Sequence, residues 1–184
     1  MLEKALIMHC SPTLAGLKSA NIVNYTYDTL EDLHHSLEKC RKKLEPKGVS
    51  LRLLKTTDTK ALVYVYRKRR IQEDLKKENV FNFLSNYGYE TDYVEYCIER
   101  LTSRISSQSD FPHEIGLFLS YPLEDVKGFI KHKGQNCRCV GCWKVYCNEC
   151  EARKTFAKFD KCKNVYCDLF CRGLRSLQQL TVAA

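Results

Sequence analysis

The residues best suited to chemistry in this chain are its cysteines, most of which lie close together. Eight of the eleven fall within residues 137–171, where two Cys-x-x-Cys pairs follow each other. Two thiolates at this spacing can bind one tetrahedral metal ion. The pattern predicts a zinc or iron site with ligands from Cys137, Cys139, Cys142, Cys147, Cys150 and Cys162. The two pairs are closer together than in a usual zinc site, so reversible thiol chemistry and cysteines that only pack are alternatives.

A second candidate is Cys10, which precedes Ser11 and Pro12. Serine followed by proline is typical of a helix start, so the sequence predicts a helix from Ser11 to about Val23. Cys10 would then lie at the positive end of that helix, which lowers a thiol pKa. Lys18, one turn further on, would add positive charge. The alternative is a buried cysteine that packs like a small hydrophobic residue.

The third candidate is the pair His113 and Glu114, which stands before the apolar run of residues 115–119. His113 can act as a general base, with Glu114 as its orienting partner or as a second acid. A structural histidine bonded to the backbone is the alternative. We expect Cys10, Lys18, His113 and Glu114 to form one pocket if the fold brings them together.

The surrounding sequence predicts an α+β fold: a small mixed or antiparallel sheet with helices packed on it, as a two-layer sandwich. Residues 1–184 are interpreted as a single domain with a cysteine-rich segment at about 137–171. Apolar runs predict central, buried strands at residues 61–66 and 115–119. Residues 49–54 and 61–67 predict a hairpin with its loop at 57–59. A last strand is predicted at 141–146, and the other predicted helices cover residues 29–44, 71–84, 91–105, 123–130 and 149–159.

Composition limits the classes of function. The chain is 44% hydrophobic, has no apolar stretch long enough to span a bilayer, and begins without the layout of a signal peptide. We therefore expect a cytoplasmic protein with no membrane partner, in which cysteines stay reduced. The net charge of +8 favours anionic partners. No recognised nucleic-acid module accompanies this charge, so nucleic acid is not expected. An anionic small molecule is one interpretation of the charge, and a solvated surface of ordinary lysines is the alternative.

Three segments together resemble a known family: residues 10–18 (CSPTLAGLK), 113–126 (HEIGLFLSYPLEDV) and 143–146 (WKVY). They are similar to the bacterial family catalogued as domain of unknown function 3793, whose members come mainly from anaerobic Firmicutes. The resemblance implies that these segments belong to a shared framework, and it implies no established activity. It also implies that the family has a bulky aromatic residue in place of Cys142 and no thiols at Cys147 and Cys150.

The sequence supports three hypotheses about function. The first is a thiol-dependent or metal-linked role in binding or redox chemistry, with a shared Cys/His pocket. The second is a cysteine-nucleophile enzyme on a small acyl or amide substrate, with Cys10 attacking and His113 as base. The third is a regulatory or adaptor protein without chemistry.

Overall fold

A computed structural model describes residues 1–107 and 111–183 of the chain, and its backbone divides into two units. The first comprises Met1–Ile71 and Cys162–Ala184, and the second comprises Gln72–Lys161. Helices combine with a small antiparallel sheet, so the predicted α+β class is confirmed. Within the described residues, no helix has both the length and the apolar character needed to cross a membrane.

The elements follow one another with short connections. In chain order they are α1 (Leu2–Leu14), β1 (Ala20–Thr26), α2 (Leu30–Leu44), a 3₁₀ turn (Glu45–Lys47), β2 (Ser50–Thr56), β3 (Lys60–Tyr66), α3 (Lys68–Leu75), α4 (Glu78–Ser85), α5 (Val94–Ser107), α6 (Ile115–Phe118), α7 (Leu123–Lys131), β4 (Cys139–Val140), β5 (Lys144–Val145), α8 (Glu149–Cys171) and α9 (Leu177–Leu180).

The sheet of the first unit has the strand order β1-β3-β2, with both neighbours antiparallel to β3. The predicted hairpin and the central, buried position of residues 61–66 are confirmed. Val63 lies opposite Val23 on one side and Leu53 on the other. Alternate residues of β3 point to one face because strand side chains alternate. Ala61, Val63 and Val65 therefore join the core that α1 and α2 cover.

Helix α2 forms where the sequence predicts it. The hydroxyl of Thr29 accepts a hydrogen bond from the backbone N–H of Asp32 and caps the first turn. The apolar positions that recur at helical spacing are buried against the sheet: Leu33, Leu37, Cys40 and Leu44. Leu30 is 58% exposed because it stands at the very start of the helix.

The predicted helix from Ser11 to about Val23 is wrong. Ser11 and Pro12 lie in the last turn of α1, which ends at Leu14, and β1 begins at Ala20. Pro12 removes one helical hydrogen bond, and it is tolerated because it lies near the end of the helix. Arg67 stabilises that end. The buried Arg67 guanidinium donates to the carbonyl oxygens of Thr13, Leu14 and Val182 at 2.7–2.8 Å.

The predicted strand at residues 115–119 is also wrong, although its burial is confirmed. Ile115–Phe118 forms the short helix α6, and each of its four residues is buried. A short apolar run does not distinguish a buried strand from a buried helix. Gly116 allows the tight packing, since a Cβ there would lie 2.7 Å from a methyl carbon of Val126.

The remaining predictions differ mainly in their boundaries. The single helix predicted over residues 71–84 is two helices, α3 and α4, and the strand predicted at 141–146 is the short hairpin β4–β5. The helices predicted at 91–105 and 123–130 correspond to α5 and α7. Helix α8 starts as predicted at Glu149 and extends beyond the predicted end at residue 159, to Cys171.

Candidate functional site

Cys10 lies in the core of the first unit and not at the start of a helix. It is fully buried near the C-terminal end of α1, among the apolar residues that cover the sheet. Burial raises the pKa of the Cys10 thiol to about 12, and the charge of Lys18 opposes this only partly. The predicted lowering of the Cys10 pKa is therefore wrong, because its premise, a helix beginning at Ser11, is wrong. Lys18 itself is also buried.

His113 and Glu114 belong to the second unit, and their side chains have different surroundings. The His113 ring is exposed and meets the ring of Phe129 edge-on, with centroids 4.9 Å apart. Glu114 is 1% exposed and pairs with the Arg104 guanidinium at 2.5 Å. It also accepts the hydroxyl of Tyr89 at 3.3 Å. Glu114 is thus engaged in a buried ion pair, while His113 faces a cavity.

A cavity lies beside His113 in the second unit. Its volume is about 330 Å³, and most of its wall is aromatic or aliphatic. The lining residues are Phe111, His113, Ile115, Gly116, Tyr121, Asp125, Val126, Phe129, Val140, Gly141, Trp143 and Lys144. Cavities of 300–1,000 Å³ with apolar walls and a few polar groups are typical of small-molecule sites.

Asp125 connects two walls of the cavity through hydrogen bonds. Its side chain is buried in the first turn of α7, and its Oδ2 accepts the indole N–H of Trp143 at 2.8 Å. Oδ1 accepts the backbone N–H groups of Tyr146 and Cys147 at 2.7 and 2.9 Å. The Cys147 thiol is a further donor at 3.3 Å, and burial together with Asp125 raises its pKa to about 11. One carboxylate therefore positions the strand β5 segment against α7.

Aromatic packing fixes the orientation of Trp143. Its ring stacks on Tyr121 with centroids 5.0 Å apart and meets Phe156 of α8 edge-on at 4.6 Å. Gly141 allows this approach, because a Cβ at that position would lie 2.2 Å from the Phe156 ring. Since the indole N–H is also bonded to Asp125, Trp143 is a rigid part of the cavity wall.

The six cysteines predicted to bind metal are distributed over the β4–β5 hairpin and α8. All eleven cysteines lie among the described residues, and none of them forms a disulfide. Cys142 and Cys150 are exposed, whereas Cys137, Cys139, Cys147 and Cys162 are partly buried. Cys139 packs beside Trp143 on a small apolar cluster, and Cys147 contacts Asp125. Among the residues described, no three His, Cys, Asp or Glu side chains are grouped so as to hold a metal ion.

Comparison with protein families gives one clear match. The family described as "Protein of unknown function (DUF3793)" matches residues 6–181 of this chain of 184 residues. The chain belongs to the DUF3793 family. Neither the curated proteins nor the solved structures contain a match.

In this DUF3793 protein, two of the segments that carry the resemblance meet at the cavity. Residues 113–126 supply His113 and Asp125, and residues 143–146 supply Trp143, which Asp125 binds. Sequence reasoning missed Asp125 and Arg104, the partners that fix Trp143 and Glu114. The available signal for Asp125 was an acidic residue between Leu123 and Val126, two buried positions of the same helix.

Proposed function

We propose that the second unit of this DUF3793 protein binds a small, mainly apolar organic molecule in the cavity bordered by Trp143 and His113. The observation that carries this proposal is a cavity of about 330 Å³ whose wall is largely aromatic and aliphatic. At its edge Phe111 is 44% exposed and Val140 is 68% exposed. When a ligand covers large apolar side chains that are in contact with water, the free energy of the system falls.

The rigidity of the wall supports binding. Trp143 is held by Asp125 and by two aromatic neighbours. Gly116 and Gly141 are packed so closely that a larger residue would not fit at either position. A site that is ordered before the ligand arrives loses less conformational entropy on binding. The arrangement therefore favours recognition of one ligand shape.

The polar groups favour binding over acid–base catalysis. Both oxygens of Asp125 already accept N–H groups of the hairpin, and Glu114 is paired with Arg104. A general base needs a lone pair within reach of the substrate. His113 and Lys144 are the basic side chains among the residues that line the cavity, whereas the two carboxylates act as structural anchors.

A thiol-dependent or metal-linked role is a second hypothesis, carried by the density of cysteines in residues 137–171. The exposed thiols of Cys142, Cys150 and Cys171 are the accessible ones for such chemistry. Binding one zinc or iron ion would require thiols of the hairpin and of α8 to converge. This hypothesis is tested separately from ligand binding in the cavity.

The two further hypotheses, a cysteine-nucleophile enzyme and a regulatory or adaptor protein, require different properties of the side chains. A nucleophilic Cys10 needs an accessible thiolate, whereas burial keeps this thiol protonated. A regulatory or adaptor protein needs no reactive group, and ligand binding in the cavity is compatible with that role. We therefore favour a ligand-binding, non-catalytic function.

Calorimetric titration with the neutral aromatic probe 2-naphthamide tests the proposal. We expect saturable binding at one site per chain. Phe111→Ala removes an apolar side chain at the edge of the cavity and should weaken binding several-fold. Tyr93→Ala is the matched control, because Tyr93 is an exposed aromatic residue of the same unit outside the cavity lining. No saturable binding, or equal weakening by both variants, would overturn the proposal.

A further inference from the structure

Two basic side chains lie against the same ring of the cavity wall. His113 meets the Phe129 ring edge-on with centroids 4.9 Å apart, and the Lys144 ammonium stands 5.8 Å from the centroid of that ring. Lys144 is placed by strand β5, and His113 by the turn before α6. Both residues line the cavity that a ligand would occupy.

The carboxylate in the wall already accepts hydrogen bonds from the protein. Asp125 accepts the Trp143 indole N–H at 2.8 Å and the backbone N–H groups of Tyr146 and Cys147 at 2.7 and 2.9 Å. A carboxylate with these donors has little capacity to bind a cationic ligand. The lone acidic side chain among the residues that line the cavity is thus directed towards the protein.

Lys144 keeps hydrogen-bonding capacity towards the cavity. Its ammonium donates to the carbonyl oxygen of Gly134 at 2.7 Å. An ammonium group has three N–H donors, so this bond leaves two. The bond also holds the long side chain beside Phe129, which lowers the entropy cost of using it for recognition.

We infer that the ligand carries one anionic group, of the carboxylate class, on a flat apolar body. Lys144 and His113 bind the anionic group beside Phe129, while Trp143 and the aliphatic wall contact the body. This inference rests on the proposed ligand-binding function and adds the chemical class of the ligand. Hydrogen bonds between charged partners are about twice as strong as neutral ones, which makes the anion the feature that selects the ligand.

A matched pair of probes tests the inference in the full chain. Calorimetric titration should show that 2-naphthoate binds roughly tenfold more tightly than 2-naphthamide, which has the same ring system without the charge. Lys144→Met should abolish this preference, and Lys144→Arg should retain it. Lys131→Met is the control, because Lys131 is an exposed lysine of α7 outside the cavity lining. Its preference should equal that of the unmodified protein.

The outcomes separate the two proposals. Equal affinity for both probes in the unmodified protein would overturn the inference about charge and leave the ligand-binding function standing. Retention of the preference in a folded Lys144→Met variant would overturn the role of Lys144. Binding of neither probe would overturn the ligand-binding function and the inference with it. The comparison in the unmodified protein needs no variant, so it decides even if Lys144→Met fails to fold.

Discussion

The indole N–H of Trp143 donates to the carboxylate of Asp125 at 2.8 Å, and this bond joins two segments that are far apart in sequence. Asp125 belongs to α7, and Trp143 precedes strand β5. The same carboxylate accepts two backbone N–H groups of the hairpin. One side chain therefore connects both walls of the cavity, and its removal should loosen them together.

Asp125→Ala should lower the free energy of unfolding by about 2–4 kcal/mol, because three partly buried N–H groups lose their acceptor. Urea unfolding followed by circular dichroism measures this loss, and the emission of Trp143 reports the local change. Glu124→Ala removes the neighbouring exposed carboxylate, which pairs with Lys127 at the surface, and should cost less than about 1 kcal/mol. Equal stability of the two variants would contradict the anchoring role of Asp125.

Glu114 is expected to be structural, and a double-variant cycle tests this. Glu114→Gln should destabilise the protein by about 3–5 kcal/mol, because it leaves the Arg104 guanidinium without its buried counter-ion. The double variant Glu114→Gln/Arg104→Met should recover part of that loss, since the uncompensated charge is gone. Thermal unfolding measures both effects. A stable Glu114→Gln protein would instead agree with a carboxylate kept for catalysis.

Cys10 provides a prediction about pH. Burial raises the pKa of its thiol from 9.0 to about 12, so the folded state keeps the proton that the unfolded state releases above pH 9. This contribution to stability is complete below pH 9 and is lost as the pH rises towards 12. The stability advantage of the unmodified protein over Cys10→Ala should therefore shrink by about 1.4 kcal/mol per pH unit above pH 9.

Labelling of the folded protein gives an independent readout for Cys10. Limited iodoacetamide treatment at pH 8, followed by mass spectrometry, should modify Cys142, Cys150 and Cys171 while Cys10 stays unmodified. These three thiols are exposed, and Cys10 is fully buried. Preferential modification of Cys10 would restore the nucleophile hypothesis.

The sequence was most informative where local signals agreed with burial. Residues 61–66 are almost continuously apolar and form the central strand, and the helical spacing of residues 29–44 corresponds to α2. It was least informative for residues 11–12 and 115–119. There, a proline near a helix end and a short apolar run each fit two structures. The contact with Arg67 determined the structure of the first segment, and it is long-range in sequence. The close packing of Gly116 on Val126 determined the structure of the second, and it depends on the packed fold.

The cavity was not predicted from the sequence. The sequence analysis placed His113 in a pocket with Cys10, Lys18 and Glu114, and it did not recognise the aromatic wall that His113 borders. Trp143 was identified only through the family resemblance. Asp125 was not recognised as an anchor, because its partners lie about twenty residues away and hydrogen bonds of that kind leave no periodic signal in the sequence.

The hypothesis that the cysteine cluster binds a metal ion gives a separate prediction. If the cysteines between residues 137 and 162 bind zinc or iron, anaerobically purified protein should contain about one ion per chain. A chelator should then lower the melting temperature, because metal binding contributes directly to folding. Elemental analysis and thermal unfolding with and without the chelator measure the two quantities. Metal content far below one ion per chain, with an unchanged melting temperature, would contradict the hypothesis.

The most direct test of ligand binding uses the single tryptophan of the chain as a reporter. Trp143 is that residue, and it lies in the wall of the cavity. Protein labelled with 5-fluorotryptophan should give one fluorine resonance, whose shift changes saturably as 2-naphthamide is added. Phe111→Ala should require several-fold more probe for the same change, and Tyr93→Ala should behave like the unmodified protein. A resonance that stays unchanged up to the solubility limit of the probe would contradict the proposed binding site.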